Sequence, residues 1–529
     1  MKSVIAKLSL LFVSTGTFAT EYSIFPDWLV KDECTLTEPF PFPNDLTQLK
    51  PYPLDAYNKL VKSCEELKPV KPNESQKLDY LDHRYALFSW LSFTALNRQL
   101  DENYKLTQNN IKVCEADSGA NCPLPLWINW RETETIFTAD AAPPKNWEIS
   151  KNFAMMQPLS AVEQVAPKNT PKKQAILTDQ KNNPVYYQKF VSPYVFNFIT
   201  KNKLYSIDGQ IEFANNPTYS WACKSQSASS MCINMNTIGF LACSSGSSLP
   251  TCNLSQDLTN FDPKPPGLAI EIKVAWKILN ESDDPSKYIR ATLPVKRYHQ
   301  IQSGETGSFK VEEQEVGVVG FHIMQKTGTS SNWIYATFSH QDNVWGNSPT
   351  FFDKQCPTCA INHPVGGTKP TQVVRLEQIS PVVEKVNQHI SKLFKQENAV
   401  LQYYKLIGTQ YSTNNSSKPM TDINGQPSDT IETKLTNYSG GLPHPVYLTN
   451  EVIETFLQLG NQPLGKQEAL YYKSSSCMNC HAAGGIATDC DKSTGKPIFT
   501  PRTADFSFIY HDAKAQFKAQ NCIKEEQSN

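Results

Sequence analysis

Cys477-Met478-Asn479-Cys480-His481 is the run of residues whose types and spacing point most directly to chemistry. Two thiols three positions apart on a helical turn can reach both vinyl groups along one porphyrin edge and form thioethers. The histidine that follows can present its imidazole to the iron as an axial ligand. With 14 Cys and 9 His in 529 residues, about 0.006 copies of this pattern are expected by chance, so the spacing carries information by itself. It predicts one covalent haem c held by Cys477, Cys480 and His481.

Three other readings of the pair are weaker. A thioredoxin-like dithiol needs a buried strand before it in a βαβ unit, and the residues from Tyr471 to Ser476 lack that pattern. A zinc site shared with Cys356 and Cys359 leaves a gap of more than a hundred residues and gives His481 no role. A plain disulfide also ignores the histidine. The other twelve cysteines group by proximity as Cys34 with Cys64, Cys114 with Cys122, Cys223 with Cys232, Cys243 with Cys252, Cys356 with Cys359 and Cys490 with Cys522. Seven bridges, with Cys477 and Cys480 as the seventh, is the alternative connectivity.

An iron with one histidine ligand leaves a sixth position to explain. No Met follows the motif, so the candidates are His444, His511 and Met420, with Met324, His322, His340 and His363 also available. A second strong ligand favours electron transfer, whereas an open position favours peroxide or oxygen chemistry. For the latter, His340, His322 and Asp342 are the candidate distal acids or bases. Arg502 and the stretch from Asp505 to Tyr510 are placed to pack over the haem, with Arg502 available to a propionate.

The elements that must position these groups can be read from composition and period. A net charge of −1, with 39% hydrophobic and 19% charged residues, describes a globular chain of two to four domains and excludes a dedicated nucleic-acid binder. Lys2 and Lys7, the apolar run from Leu8 to Val13 and the small residue Ala19 make a secretory signal cleaved near Ala19. The apolar run is far below the roughly 20 residues of a membrane helix, and no longer one follows, so no transmembrane segment is expected. Residues 1–19 are thus a signal peptide and the mature protein is periplasmic or secreted.

Helical spacing of Leu81, Tyr85, Phe88, Leu91, Ala95 and Leu96 predicts a core helix. A second helix is expected to start near Trp127, Trp130 and Phe137, whose rings are assigned to packing. Alternating apolar residues predict strands beginning at Lys203, Leu268, Val316 and Trp333. In the second of these, Glu271 and Lys273 share a face, as an ion pair or as the wall of a polar pocket. Residues 373–411 read as helical, with Val383, Val386, Ile390 and Leu393 on one stripe. Residues 448–460 read as a short helix capped by Thr449 or Asn450.

The fold class is therefore α+β: a helical amino-terminal part over 20–200, a central, mainly antiparallel sheet with a trailing helix over 201–411, a linker over 412–440, and a helical carboxy-terminal haem-binding segment over 441–529. The chain resembles a little-characterised group of exported bacterial single-haem cytochrome c family proteins. The resemblance lies in Phe93–Asn97, Glu271–Trp276, His322–Thr327, Trp333–Asn343, Tyr404–Gln410, Leu448–Asn450, Glu454–Phe456, Ser475–His481 and Asp505–Phe508. It implies covalent haem and export, and leaves the substrate open. The expected function is redox or electron transfer with a periplasmic partner. The alternatives are a haem-dependent peroxidase or oxygenase, and a non-enzymatic interaction protein with a structural haem.

Overall fold

A computed structural model describes residues 74–97, 124–147, 157–161, 176–215, 269–298, 309–327, 330–356, 358–365, 369–396, 398–412, 443–458, 476–481, 483–491, 493–501 and 503–515. Eight strands form one antiparallel sheet: β1 (Arg131–Glu132), β2 (Val185–Val191), β3 (Ile270–Ile278), β4 (Arg290–Tyr298), β5 (Phe309–Thr327), β6 (Ser330–His340), β7 (Tyr404–Ser412) and β8 (Pro443–His444). Their order is β1-β2-β3-β5-β6-β7-β8. Strand β5 is long enough to pair β4 through Phe309–Gly317 and β6 beyond it, so β4 and β6 lie end to end along one of its edges. The mainly antiparallel sheet and mixed α+β composition match expectation. The sheet nevertheless takes strands from the amino-terminal part and from beyond the linker.

Strand period puts alternate residues on two faces. Register aligns Val274 with Phe321, Phe321 with Phe338 and Phe338 with Leu406, giving an aromatic and aliphatic face. Helix α1 (Glu74–Leu96) covers it. Phe93 stacks on Phe338 at 4.1 Å and Trp90 meets the same ring edge-on at 5.0 Å. The helix is buried on every side from Arg84 onward, more completely than a single stripe implies. Its hydroxyl and amide groups are satisfied inside: Ser89 with Thr409, Gln325 with Ser92, and the Trp90 and Trp127 indoles with Asn387 and Asn97.

Several elements differ from expectation. The strand expected from Lys203 is occupied by helix α3 (Ile207–Asn215), which follows α2 (Pro193–Lys201). Ile207 and Ile211 are both buried, at helical spacing. Helix α4 (Pro381–Gln396) holds Val383, Val386 and Ile390 inside, but Tyr404–Ser412 is strand β7. Residues 126–135 form two short 3-10 turns around β1, with Trp127 and Trp130 buried as expected. Residues 448–458 are turns with a 3-10 piece at Thr455–Leu457. The cause is Asn450, whose amide nitrogen bonds Thr337 Oγ1 and the Phe338 carbonyl while its oxygen accepts from Val452 N–H. Its oxygen makes a cap bond while its amide ties the segment to the sheet, and the segment stays a set of turns. In the carboxy-terminal segment, the described residues from 476 onward contain one α-helical turn, α5 (Cys477–His481), the hairpin β9 (Gly485–Asp491) with β10 (Lys496–Pro501), and a 3-10 turn at Ile509–Asp512. Among the described residues no helix is long and apolar enough to cross a membrane.

The second face of the sheet carries Glu271, Lys273, Gly320, His322, Tyr335, Thr337 and Gly408, aligned across strands β3, β5, β6 and β7. Segment 448–456 lies on it because two glycines make room. A Cβ on Gly320 would sit 2.7 Å from Val452 Cγ2, and one on Gly408 would sit 2.9 Å from Leu448 Cδ1. Gly320→Ala is therefore expected to destabilise the protein by about 1–3 kcal/mol, seen as a lower melting temperature. An unchanged midpoint would show that the segment does not seat there.

Candidate functional site

Helix α5 stands over the second face of the sheet, and its first turn is held by a side chain from β7. Buried Gln410 accepts from Met478 N–H at 2.7 Å and donates to Ser476 Oγ at 3.0 Å and the Pro445 carbonyl at 2.7 Å. A helix start has amide donors without intrahelical partners, and Gln410 supplies one acceptor. Met478 is buried in the core, fixing the rotation of the turn. Both cysteine sulfurs of the motif are thiols. Cys477 Sγ lies 3.5 Å from the Leu448 carbonyl, and burial pushes its pKa well above the ordinary range.

His481 Nδ1 is 2.7 Å from the carbonyl oxygen of Phe506. A carbonyl only accepts, so Nδ1 carries the hydrogen and Nε2 keeps its lone pair. Burial lowers the imidazole pKa to about 4, so the ring is neutral at pH 7. The Tyr335 and Phe508 rings flank it at 5.3 and 5.4 Å. Among the described residues, Nε2 has no hydrogen-bond partner. A neutral imidazole with one nitrogen oriented by a carbonyl and the other open is the state a metal-binding histidine needs.

The carbonyl is held in place by an unusual loop. Asp505 and Phe506 have φ of 50° and 65°, in the left-handed region that non-glycine residues rarely occupy, at a cost of about 1–3 kcal/mol each. Three contacts to the sheet offset it. Lys326 Nζ pairs with Asp505 Oδ2 at 2.5 Å, the Trp333 indole donates to the Asp505 carbonyl at 2.6 Å, and Ser507 Oγ donates to Glu271 Oε2 at 2.9 Å. Lys326 also lies 5.3 Å over the Trp333 ring.

Polar groups continue along the same face. His322 Nε2 is 3.3 Å from Glu454 Oε2, within ion-pair range but without hydrogen-bond alignment. Glu454 also accepts from Asn450 N–H at 2.9 Å. Its pKa is lowered despite the opposing effect of burial, because His322 and Lys273 are close. The charges of His322, Glu454 and Lys273 also act on His481. Glu271 does not pair with Lys273. It is buried, its Oε1 has no hydrogen-bond partner, and burial raises its pKa from 4.5 to about 8. Glu271 and Lys273 thus have separate partners, Ser507 for the carboxyl and the Tyr187 ring, 5.2 Å away, for the ammonium.

Of the histidines named from sequence, His322 is brought beside His481, and the others are engaged elsewhere. His340 is fully buried at the end of β6, stacked on Tyr288 at 4.1 Å. Its Nε2 bonds the Lys287 carbonyl, its Nδ1 accepts from Asp342 N–H, and burial lowers its pKa to about 3. Both nitrogens are committed to the backbone, which removes it as a distal base in this arrangement. Asp342 faces Lys287 at 3.7 Å. His444 lies 3.2 Å from Asp82 of α1. His511 Nε2 accepts from Gly485 N–H at 3.3 Å, behind Phe508. Met324 is buried beside Glu271 in the register, and His363 is exposed in a loop. Met420 and Arg502 lie outside the described residues, as do the four expected pairs Cys34 with Cys64, Cys114 with Cys122, Cys223 with Cys232 and Cys243 with Cys252. Cys356 and Cys359 are bonded to each other, which leaves the zinc alternative without its second thiol pair. Cys490 is disulfide-bonded, its expected partner Cys522 lying outside the described residues. Among the described residues no group of three or more His, Cys, Asp or Glu side chains is placed to hold a bare metal ion.

Sequence reasoning did not find the Phe506 carbonyl, because a backbone acceptor has no side-chain signature. Gln410, Glu454, Lys326 and Trp333 have no spacing in the sequence that assigns them a role. Comparison with family models, with curated proteins and with solved structures finds no match to this chain.

Glu271 generates a pH dependence of stability. Between pH 4.5 and about 8 the folded protein keeps this proton while the unfolded chain has released it. The unfolded state then binds fewer protons, so this group's contribution falls as pH rises through that window. Glu271→Gln is expected to be more stable than the parent at pH 8, by on the order of a few kcal/mol, and close to it at pH 4.5. Chemical denaturation at both pH values checks this; equal differences at the two would overturn it.

Proposed function

We propose that this protein is an exported c-type cytochrome. In this reading Cys477 and Cys480 would hold one haem through thioethers, His481 would ligate its iron, and the protein would exchange electrons with a periplasmic redox partner. The observation that carries the reading is the state of His481, neutral, oriented through Nδ1 by the Phe506 carbonyl and open at Nε2, one residue from a thiol pair. Export rests on the amino-terminal run around Leu8–Val13, which lies outside the described residues.

The residues present fit a covalently attached haem. When bound, it would supply one-electron exchange between ferric and ferrous iron. Everything else is work for the chain. Gln410 sets the start of the turn, so that the two sulfurs and the imidazole keep a fixed relation. His481 needs no proton loss at Nε2 before it binds metal. Tyr335 and Phe508 flank the imidazole with their rings. The hydrogen bond to Phe506 raises the basicity of the ligand and holds the ring orientation.

A second reading, a haem-dependent peroxidase or oxygenase acting on a small molecule, is favoured by one observation. His322, oriented near Glu454, stands close enough to His481 for its charge to act there, and could serve as acid and base.

Protein matured in a periplasm with haem-attachment machinery should give a c-type pyridine haemochrome of about one haem per chain. Cys477→Ala/Cys480→Ala should abolish it. Colourless parent protein from that host would overturn the cytochrome reading. A low-spin spectrum indifferent to carbon monoxide supports electron transfer. High-spin iron that binds carbon monoxide, with turnover lost in His322→Ala, supports the enzyme.

A further inference from the structure

Lys326 and Trp333 belong to β5 and β6, far from the motif in sequence, yet their contacts converge on the residue before the His481 acceptor. The Lys326 ammonium and the Trp333 indole N–H take the Asp505 carboxylate and the Asp505 carbonyl respectively. Trp333 is buried and the Lys326 side chain is 5% exposed. Both donors are thus spent on one residue of a loop that carries no regular structure. That residue and the next are the two non-glycine residues held at φ of 50° and 65°. Relaxing either would turn the Phe506 carbonyl away from His481 Nδ1, because a peptide plane moves with the dihedrals on both sides of it.

We propose that Lys326 and Trp333 are positioning residues for His481: they clamp Asp505 so that the Phe506 carbonyl stays on Nδ1, and through that bond they set the reduction potential of the iron site. The inference rests on the cytochrome reading above. Ser507 bonded to Glu271 anchors the far side of the same carbonyl. A proximal imidazole that loses its acceptor donates less electron density, so the ferric state is less stabilised and the potential rises.

The test is a spectroelectrochemical titration of haem-loaded full-length protein at one pH, comparing the parent with Lys326→Met, Lys326→Arg and Trp333→Phe. Lys326→Met keeps the stem and removes the charge, while Trp333→Phe keeps a ring and removes the N–H. Each is expected to shift the reduced-to-oxidised ratio at fixed poise about tenfold toward reduced, equivalent to about 59 mV for one electron. Lys326→Arg should restore most of the parent value. Haem content per chain and the thermal midpoint are read on the same samples. A potential unchanged in both Lys326→Met and Trp333→Phe, at parental haem content, overturns the proposal and leaves the cytochrome reading standing. Parent protein without haem overturns both. Should Lys326→Met fail to fold, Trp333→Phe decides alone, since an unmoved potential there means the clamp does not reach His481.

Discussion

The cross-strand register of β3, β5, β6 and β7 is the constraint on which the rest of the molecule depends. Side chains alternate with a period of two, so a slip of one residue between β5 and β6 would carry Phe321 and Phe338 to the polar face and bring His322 and Thr337 under α1. The burial cost of that exchange is large in both directions, because the aromatic residues would lose their packing and the polar ones would lose their partners. Gly320 and Gly408 add a steric lock. They are flat points at which Val452 and Leu448 touch the sheet, and any slip would put a Cβ there.

From that register the polar side follows. It gathers Glu271, Lys273, His322, Tyr335 and Gln410 from four strands on one surface, and three irregular segments are laid over it. Irregular backbone needs donors and acceptors from elsewhere, and the sheet provides them as side chains: Thr337 and the Phe338 carbonyl to Asn450, Gln410 to the turn at Cys477, Trp333 and Lys326 to Asp505. The result is a rigid floor beneath a motif of only five residues. A single turn cannot hold itself, since nucleation of a helix is unfavourable and one turn has few internal bonds. The large body of the protein thus fixes the geometry of that turn.

The parts of this arrangement that could be read in the sequence are those with a period. The strands containing Glu271, His322 and Trp333 and the helix around Trp90 are visible because burial on one face repeats every two or about every three and a half residues. The misreadings have a shared cause. At Tyr404–Ser412 and Ile207–Asn215 the apolar residues satisfy either period over so short a run, and the neighbours in space decide. At Asn450 the side-chain oxygen makes the cap bond to Val452 N–H, and the amide also bonds β6, which holds the segment as turns on the sheet. The thiol pair and His481 stand out in the sequence because the proposed haem attachment demands a fixed spacing. Their support does not, because it comes from a backbone carbonyl and from residues more than a hundred positions away.

That division explains why the buried charges of this molecule cluster where they do. His340 and Glu132 are structural: each is enclosed by its own strand ends and turns, with burial holding the histidine neutral and raising the carboxyl to about 8. Glu271 is perturbed in the same way and by the same cause, yet it sits one hydroxyl away from the loop that orients His481. The charges of Asp505, Lys189 and Lys326 act on it there, and a buried acid feels such charges much more strongly than it would across water. Glu132, whose partners are the Gln157 amide and Gln188, does not meet that loop, whereas Glu271 meets it through Ser507. Proximity to the turn, set by register, is what separates a buried ionisable group that merely completes the core from one that shares the electrostatics of the site.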